Sequence, residues 1–356
     1  MSDFLNDINS NLLYIVAFVM AFVTACIITP LSKKFAFKVG AVDMPKARGI
    51  HTKPMPLAGG TAIVAGFVIT VALLAPTIKN LQLPNLVGLL GGGLVITVVG
   101  LLDDIYDLPA KIKLFFQILS ALIVVATGTS IQAFSWPWAP GGVILLGSFS
   151  NIVTIVWIIG VTNAVNLMDG LDGLATGISS IAALCLMFIS ILNGEPTAVL
   201  LTAALAGSCL GFLPHNFNPA TIFMGDTGST FLGFTLSVIS IQGLIKSYTA
   251  ITIIVAVLIL GLPIFDTFFA ILRRVANGKP VMQADRGHLH HRLMDRGYSH
   301  RRAVLTLYGV SGGFGIAGIL IAMDDIKLAL IIIAIIVTVW FADFISKHIK
   351  VNNKRQ

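Results

Sequence analysis

Apolar stretches recur along the whole chain, separated by polar segments too short to form soluble domains, and this restricts the fold more than any other feature. Windows 12–31, 60–76, 86–102, 114–128, 152–163, 174–192, 198–214, 229–245, 250–272, 303–322 and 328–346 approach the length of a bilayer crossing, about 20 residues for a helix. Within lipid the backbone must satisfy its own hydrogen bonds, so such runs read as helices. Only 11% of the residues are charged, against about 25% in soluble domains. The expected fold is all-α: a polytopic transmembrane helical bundle of about eleven spans, one integral membrane domain over 1–356. The fifth window is short, and its start is expected nearer Val143. The first has no basic flank before it and no cleavage site after it, so it reads as a retained span. Cys26, Cys185 and Cys209 fall inside apolar runs without metal-ligand spacing and read as small core residues.

An odd number of spans puts the two ends on opposite sides, and charge assigns them. One set of loops, with the C-terminal tail, holds 20 of the 23 basic residues, and the other holds only Lys79, Lys246 and Lys327. By the positive-inside rule the N-terminus is outside and the C-terminus cytoplasmic. The outer side has short loops apart from 129–151, whose Trp136, Trp138 and glycine pair suggest an interfacial hairpin or an anchored loop without chemistry.

The cytoplasmic motif loops are then about 32–59, 103–113, 163–173, 214–228 and 273–302, and nine of the sixteen acids lie in them. The sequence TNAVNLMDGLDGLAT, 162–176, sets Asn163, Asn166, Asp169 and Asp172 against apolar neighbours. Carboxylates at a membrane helix end are costly unless they meet water, a cation or a substrate, which argues against a mere linker. Asp103 and Asp104 are adjacent and repel unless compensated. On a helix they point about 100° apart, so one is expected to face a phosphate and the other to pair with Lys111 or Lys113. Asp226, followed by Thr227, Gly228 and Ser229, reads as a helix start suited to an anion or a metal-bound phosphate. Hard oxygen donors beside lysines and arginines suit Mg²⁺ and a diphosphate, leaving the membrane to supply a lipid as second substrate. His288, His290 and His291 could form a zinc site, but among Arg286, Arg292, Arg296, Arg301 and Arg302 they read better as an anion-binding loop. Asp266, inside an apolar run, is expected to pair or cap within the bundle.

The motifs HTKPMPLAGG, LLDDIYDLPAKIKLFFQ, TNAVNLMDGLDGLA, FMGDTGS and HLHHRLMDRG, in this order between about residues 28 and 302, resemble the polyprenyl-phosphate N-acetylhexosamine-1-phosphate transferases, glycosyltransferase family 4. The nearer likeness is to the GlcNAc-1-phosphate branch that initiates teichoic acid or O-antigen synthesis. The phospho-MurNAc-pentapeptide translocases instead have a lysine where Asp107 stands and an unbroken histidine run. The resemblance implies a bacterial plasma-membrane enzyme, active on the cytoplasmic face, using UDP-GlcNAc and undecaprenyl phosphate. It further implies Mg²⁺, with Mn²⁺ as a substitute, a surrounding of membrane lipid, no nucleic acid, and a homodimer left open. Carried over by position, Asp226 is the metal ligand, and Asp103 and Asp104 orient or deprotonate the lipid phosphate. Asp169 and Asn166 line the nucleotide-sugar cavity, with Asp172 as a nucleotide contact. Lys113 and Lys53 lie near the phosphates, His290 and His291 fall in the essential histidine region, and Arg292 contacts phosphate or sugar. A transporter, the rival of another class, should set polar groups near the midplane and repeat its halves; here the acids cluster on one face and no repeat is visible.

Overall fold

The computed structural model describes residues 2–44, 54–79, 81–135, 143–244, 252–280 and 287–338. Lys53, Trp136, Trp138 and the basic residues of the tail lie outside them. Helices carry the architecture: α1 (Ser2–Val39), α2 (Gly60–Leu74), α3 (Leu83–Tyr106), α4 (Ala110–Ala126), α5 (Ser150–Met168), α6 (Leu174–Leu192), α7 (Pro196–Asn216), α8 (Gly225–Leu244), α9 (Thr252–Ile259), α10 (Gly261–Ala276), α11 (Leu289–Asp295) and α12 (His300–Ala322). Two antiparallel ribbons accompany them, β1 (Val42–Asp43) with β2 (Met55–Pro56), and β3 (Ala133–Ser135) with β4 (Val143–Leu145). The second ribbon pairs the two flanks of the 129–151 segment, for which an anchored loop is the preferred expectation from sequence, and it moves the start of the fifth helix from Val143 to Ser150.

The protein is an all-α polytopic membrane bundle. Among the described residues seven helices are long and apolar enough to cross a bilayer: α1, α2, α3, α5, α6, α7 and α12. The bent pair α9 and α10 makes an eighth if counted as one span. The remaining apolar windows also carry helix but fall short for separate reasons. Helix α4 has 17 residues, the apolar helix Ile326–Thr338 is also shorter than a span among the described residues, and α8 is rich in Ser, Thr and Gly. The window 250–272 is not straight. It turns through 85° between Ile259 and Gly261, where Pro263 has no N–H to return to the carbonyl of Ile259 and Gly261 adds no side chain to resist the turn.

Helix α8 is the post around which the others stand. Nearly every residue from Thr227 to Ser240 is buried, among them Phe234, Leu236 and Val238 together with the hydroxyls of Thr235, Ser237 and Ser240. The two serine hydroxyls are tolerable at that depth because they bond locally, Ser237 to the carbonyl of Phe234 and Ser240 to that of Ser237, at 2.6 and 2.7 Å, whereas the Thr235 hydroxyl has no hydrogen-bond partner among the described residues. Close approach comes from missing side chains. A Cβ at Gly100 of α3 would meet the backbone of Asp226 and Thr227, and one at Gly233 would meet the backbone of Thr162 in α5. The contact of α1 with α7 follows the same rule. Ala17, Ala21 and Ala25 form a fully buried stripe on α1, and Gly207 and Gly211 of α7 lie against the carbonyl oxygens of Phe18 and Phe22. Small residues four apart let helices approach closely enough for dispersion to hold them in lipid, where no hydrophobic force between helices operates.

Gly211→Val drives a branched side chain into the α1 backbone, whereas a Cβ at Gly309 of α12 meets nothing within 4 Å. Overpacking of this kind costs about 1–3 kcal/mol. The melting temperature of purified Gly211→Val should fall by roughly 5 °C, with Gly309→Val close to the parent; equal melting of the two variants would contradict this packing.

Candidate active site

The chain reverses after every helix from α3 to α7, so the C-terminal ends of α3, α5 and α7 and the N-terminal ends of α4, α6 and α8 share one end of the bundle. A cavity of about 580 Å³ opens there, lined among others by Asp103, Asp104, Asp169, Asp172, Asn216 and Asp226. Its floor is the first turn of α8, whose backbone N–H groups need acceptors. The acceptor comes from another helix. Asp104 Oδ1 accepts the N–H of Asp226 at 2.7 Å, and Oδ2 accepts the N–H and the hydroxyl of Thr227 at 3.0 and 2.6 Å. Gly225 makes this possible: it adopts φ +69°, and a Cβ there would strike the Asp104 carboxylate and the carbonyl of Leu57. Asp104 is therefore a cap supplied across 122 residues of sequence, and its role here is to position Asp226.

Asp103 points elsewhere, as adjacency on a helix requires. Its Oδ1 accepts the N–H of Leu108 at 2.7 Å, which fixes the turn into α4, where Asp107 takes the left-handed conformation. That turn returns Lys113 to the site, with Nζ 2.9 Å from Asp103 Oδ2 and 3.1 Å from Asp226 Oδ2. The other oxygen of Asp226 accepts Asn166 Nδ2 at 3.0 Å, and the same amide nitrogen bonds Ser229 Oγ at 2.9 Å. Side chains of α4 and α5 thus meet on the carboxylate of α8, and Lys113 links it to Asp103 of α3. Behind them Gln117 and Asn163 exchange amide hydrogen bonds between α4 and α5 at 2.7 and 3.3 Å.

The loop between α5 and α6 holds the remaining carboxylates. Asp172 is buried, and its Oδ2 accepts the side chain of Asn218 at 2.9 Å and the N–H of Ala220 at 3.0 Å, tying this loop to the one before α8. Asp169 opens partly to the cavity. Burial first, and then the charges of Asp226, Asp104 and Asp172, push its carboxyl up to about 8. The loop is clamped from outside: Tyr308 of α12 donates to the carbonyl of Gly173, and Gly170 is bare where the His290 ring presses on it.

The histidine segment is organised by Asp266 of α10, which confirms the expected structural role of that residue. Its Oδ2 lies 2.8 Å from His288 Nδ1, and its Oδ1 accepts the N–H of Leu289 at 2.9 Å, holding the start of α11. His290 stacks on His288 with ring centroids 5.9 Å apart and lies 4.2 Å from His291. It is 3% exposed, and its Nδ1 has no hydrogen-bond partner. Burial, and then His291, lower its pKa to about 4, so the ring is neutral near physiological pH. None of His290, His291 and Arg292 lines the carboxylate cavity, which His290 meets only through Gly170. Arg292 instead borders, with Arg273, a separate apolar groove of about 690 Å³ between α10 and α12. His300 and Asn216, not singled out among the candidate site residues, do line the carboxylate cavity; their signal in the sequence was their position within the motif loops 273–302 and 214–228. Lys53 lies outside the described residues.

The division of work between the adjacent aspartates is testable. Loss of a helix cap costs about 1–2 kcal/mol, so Asp104→Asn should speed hydrogen exchange at the amides of Asp226 and Thr227 and abolish most activity at every pH. Asp103→Asn should leave the exchange of those two amides unchanged. Equal effects of both variants on these amides would refute the cap.

A family model described as Glycosyl transferase family 4 matches residues 86–244, which contain Asp103, Lys113, Asn166 and Asp226. The chain is 43% identical over 323 residues to a probable undecaprenyl-phosphate N-acetylglucosaminyl 1-phosphate transferase of Bacillus subtilis (strain 168), covering 91% of this chain and 89% of that protein. It is 35% identical over 357 residues to a decaprenyl-phosphate N-acetylglucosaminephosphotransferase of Mycolicibacterium smegmatis, covering 88% and 86%. An undecaprenyl-phosphate alpha-N-acetylglucosaminyl 1-phosphate transferase of Yersinia pestis is 28% identical, with 84% and 80% covered. With likeness of this extent running through the bundle and its cavity, the chain belongs to glycosyltransferase family 4.

Proposed function

We propose that this protein transfers GlcNAc-1-phosphate from UDP-GlcNAc to undecaprenyl phosphate, giving undecaprenyl-diphospho-GlcNAc and UMP. The observation that carries the reading is the convergence of Asp103, Asn166 and Asp226 on one cavity, with Lys113 joining the two carboxylates, in a membrane bundle of this family. An oxygen of the lipid phosphate attacks the β-phosphorus of the sugar nucleotide, and the bond to the α-phosphate oxygen breaks as UMP leaves. A phosphate monoester is largely dianionic at neutral pH, its second pKa being about 6, so the attacking oxygen needs no strong base. Both oxygens of Asp103 are engaged, one by Leu108 and one by Lys113, which supports positioning over proton abstraction. Lys113, beside the cavity, supplies positive charge where the diphosphate would lie. The buried, neutral His290 holds Gly170 and through it the loop that carries Asp169.

The donor set also fits Mg²⁺. The lining carboxylates make the cavity strongly acidic, and a diphosphate enters such a space only with a counter-cation. Among the described residues no three His, Cys, Asp or Glu side chains are grouped to hold a metal alone. Mg²⁺ suits this arrangement, because one or two carboxylates and the substrate phosphates complete its shell. Asp226 and Asp103 would hold it, with Mn²⁺ as a substitute, and when bound the ion supplies charge neutralisation at the diphosphate. The proposed topology has eleven spans with the N-terminus outside, and the 20-to-3 division of basic residues supports a cytoplasmic cavity.

Purified protein given UDP-GlcNAc, undecaprenyl phosphate and Mg²⁺ should release UMP, and chelation or Asp226→Asn should cut the rate by about 100-fold or more. Release at the parent rate by Asp226→Asn would refute the assigned role. For the topology, single cysteines placed near Asp107 and His215, in a background without Cys26, Cys185 and Cys209, should resist an impermeant thiol reagent until cells are broken. Labelling of intact cells at these positions would place the cavity outside.

A further inference from the structure

Lys113 sits where a bridging cation would sit. Its ammonium lies between two carboxylate oxygens from different helices, 2.9 Å from Asp103 Oδ2 and 3.1 Å from Asp226 Oδ2. The other oxygen of each carboxylate is already committed, to the N–H of Leu108 and to Asn166. The two oxygens that remain for a hard divalent ion are therefore the two that the ammonium now holds. Nothing in α4 itself favours a cation at this place, since Lys113 lies near the N-terminal, positive end of its helix dipole. The carboxylates hold the ammonium there, and a second cation on the same oxygens would repel it strongly at this separation. The Lys113 side chain is 30% exposed, so its head can swing into the cavity without repacking the core.

We infer that Lys113 is an internal counter-ion that keeps the place of the divalent cation until the diphosphate of the substrate offers the ammonium another anion. Metal and diphosphate then bind together, and the lysine leaves the carboxylates for the phosphate oxygens as the ion takes its place. No covalent bond changes in this exchange. The inference rests on the metal reading proposed above and adds to it a consequence for linkage. Metal and diphosphate must each tighten the binding of the other, and part of that coupling is the displacement of Lys113. Removing the lysine should therefore strengthen binding of the metal alone, the reverse of what loss of a site residue ordinarily does.

Mn²⁺ titrations followed by paramagnetic resonance, on purified protein with and without UDP, test this once the Mn²⁺–UDP complex formed in solution is subtracted. The parent should bind Mn²⁺ weakly without UDP and more tightly with it. Lys113→Met should bind Mn²⁺ about tenfold more tightly than the parent without UDP, a change within the usual span of coupling between sites, and UDP should then add less. Lys113→Gln, which keeps a hydrogen-bond donor for the two carboxylates, should shift in the same direction, while Lys113→Arg should behave as the parent. Turnover of UDP-GlcNAc should fall in the methionine and glutamine variants although their metal affinity rises. Metal binding by both neutral variants that is no tighter than the parent's would overturn the exchange and leave the metal site standing, provided Asp226→Asn abolishes binding. Absence of Mn²⁺ binding by the parent, with UDP and without it, would overturn the metal site and the exchange with it.

Discussion

The carboxylate of Asp104 on the first turn of α8 is the interaction from which the geometry of the site follows. A helix that begins inside a bundle exposes N–H groups that water cannot reach freely, and each unpaired one carries a penalty of a few kcal/mol. Asp104 meets two of these groups and a hydroxyl with one side chain. The same contact fixes the depth at which α8 starts relative to α3, and so the height of Asp226 above the cavity floor. Gly100 and Gly225 allow the two backbones to come this close. A displacement of either helix by the width of a methyl group would separate Asp226 from Lys113 and from Asn166 together.

The arrangement concentrates negative charge and then supplies only partial relief. Lys113 neutralises part of the Asp103 and Asp226 pair, the helix terminus and its N–H groups stabilise Asp104, and Asn218 and Ala220 serve Asp172. Asp169 is left with burial and three neighbouring charges, and its carboxyl is correspondingly hard to ionise. A cavity in this state is receptive to cations and to anions that arrive with cations, and closed to anions alone. Its selectivity is thus electrostatic before it is steric.

Much of this was legible in the sequence, because lipid forces the backbone into helices and charge bias marks the polar ends. The apolar windows all carry helix, the helix start at Asp226 falls where the sequence TGS after the aspartate indicated, and the two adjacent aspartates do separate, with Lys113 on Asp103. What stayed hidden depends on contacts remote in sequence. Nothing near Asp104 announces that it caps a helix 122 residues away. The turn at Gly261 was masked by the continuous apolar run around it, and Arg292 reads as a site residue although it borders the apolar groove between α10 and α12. The count of spans was read from hydropathy alone, which cannot tell a helix facing lipid from one, like α8, that faces only other helices.

That last distinction bears on how the molecule is made. Helix α8 carries Thr227, Ser229, Thr230, Thr235, Ser237 and Ser240, all buried, and among the described residues it is not one of the helices apolar enough to cross a bilayer by composition. Its neighbours α2, α3, α5, α6 and α7 precede it in the chain, and α9, with a smaller contact, follows it. When the ribosome releases α8, the surfaces that will receive its hydroxyls and bare glycines have already been synthesised. This hydroxyl-rich segment therefore need not survive as a solitary helix in lipid, and biogenesis of the cavity becomes a matter of docking a late, polar post among earlier helices.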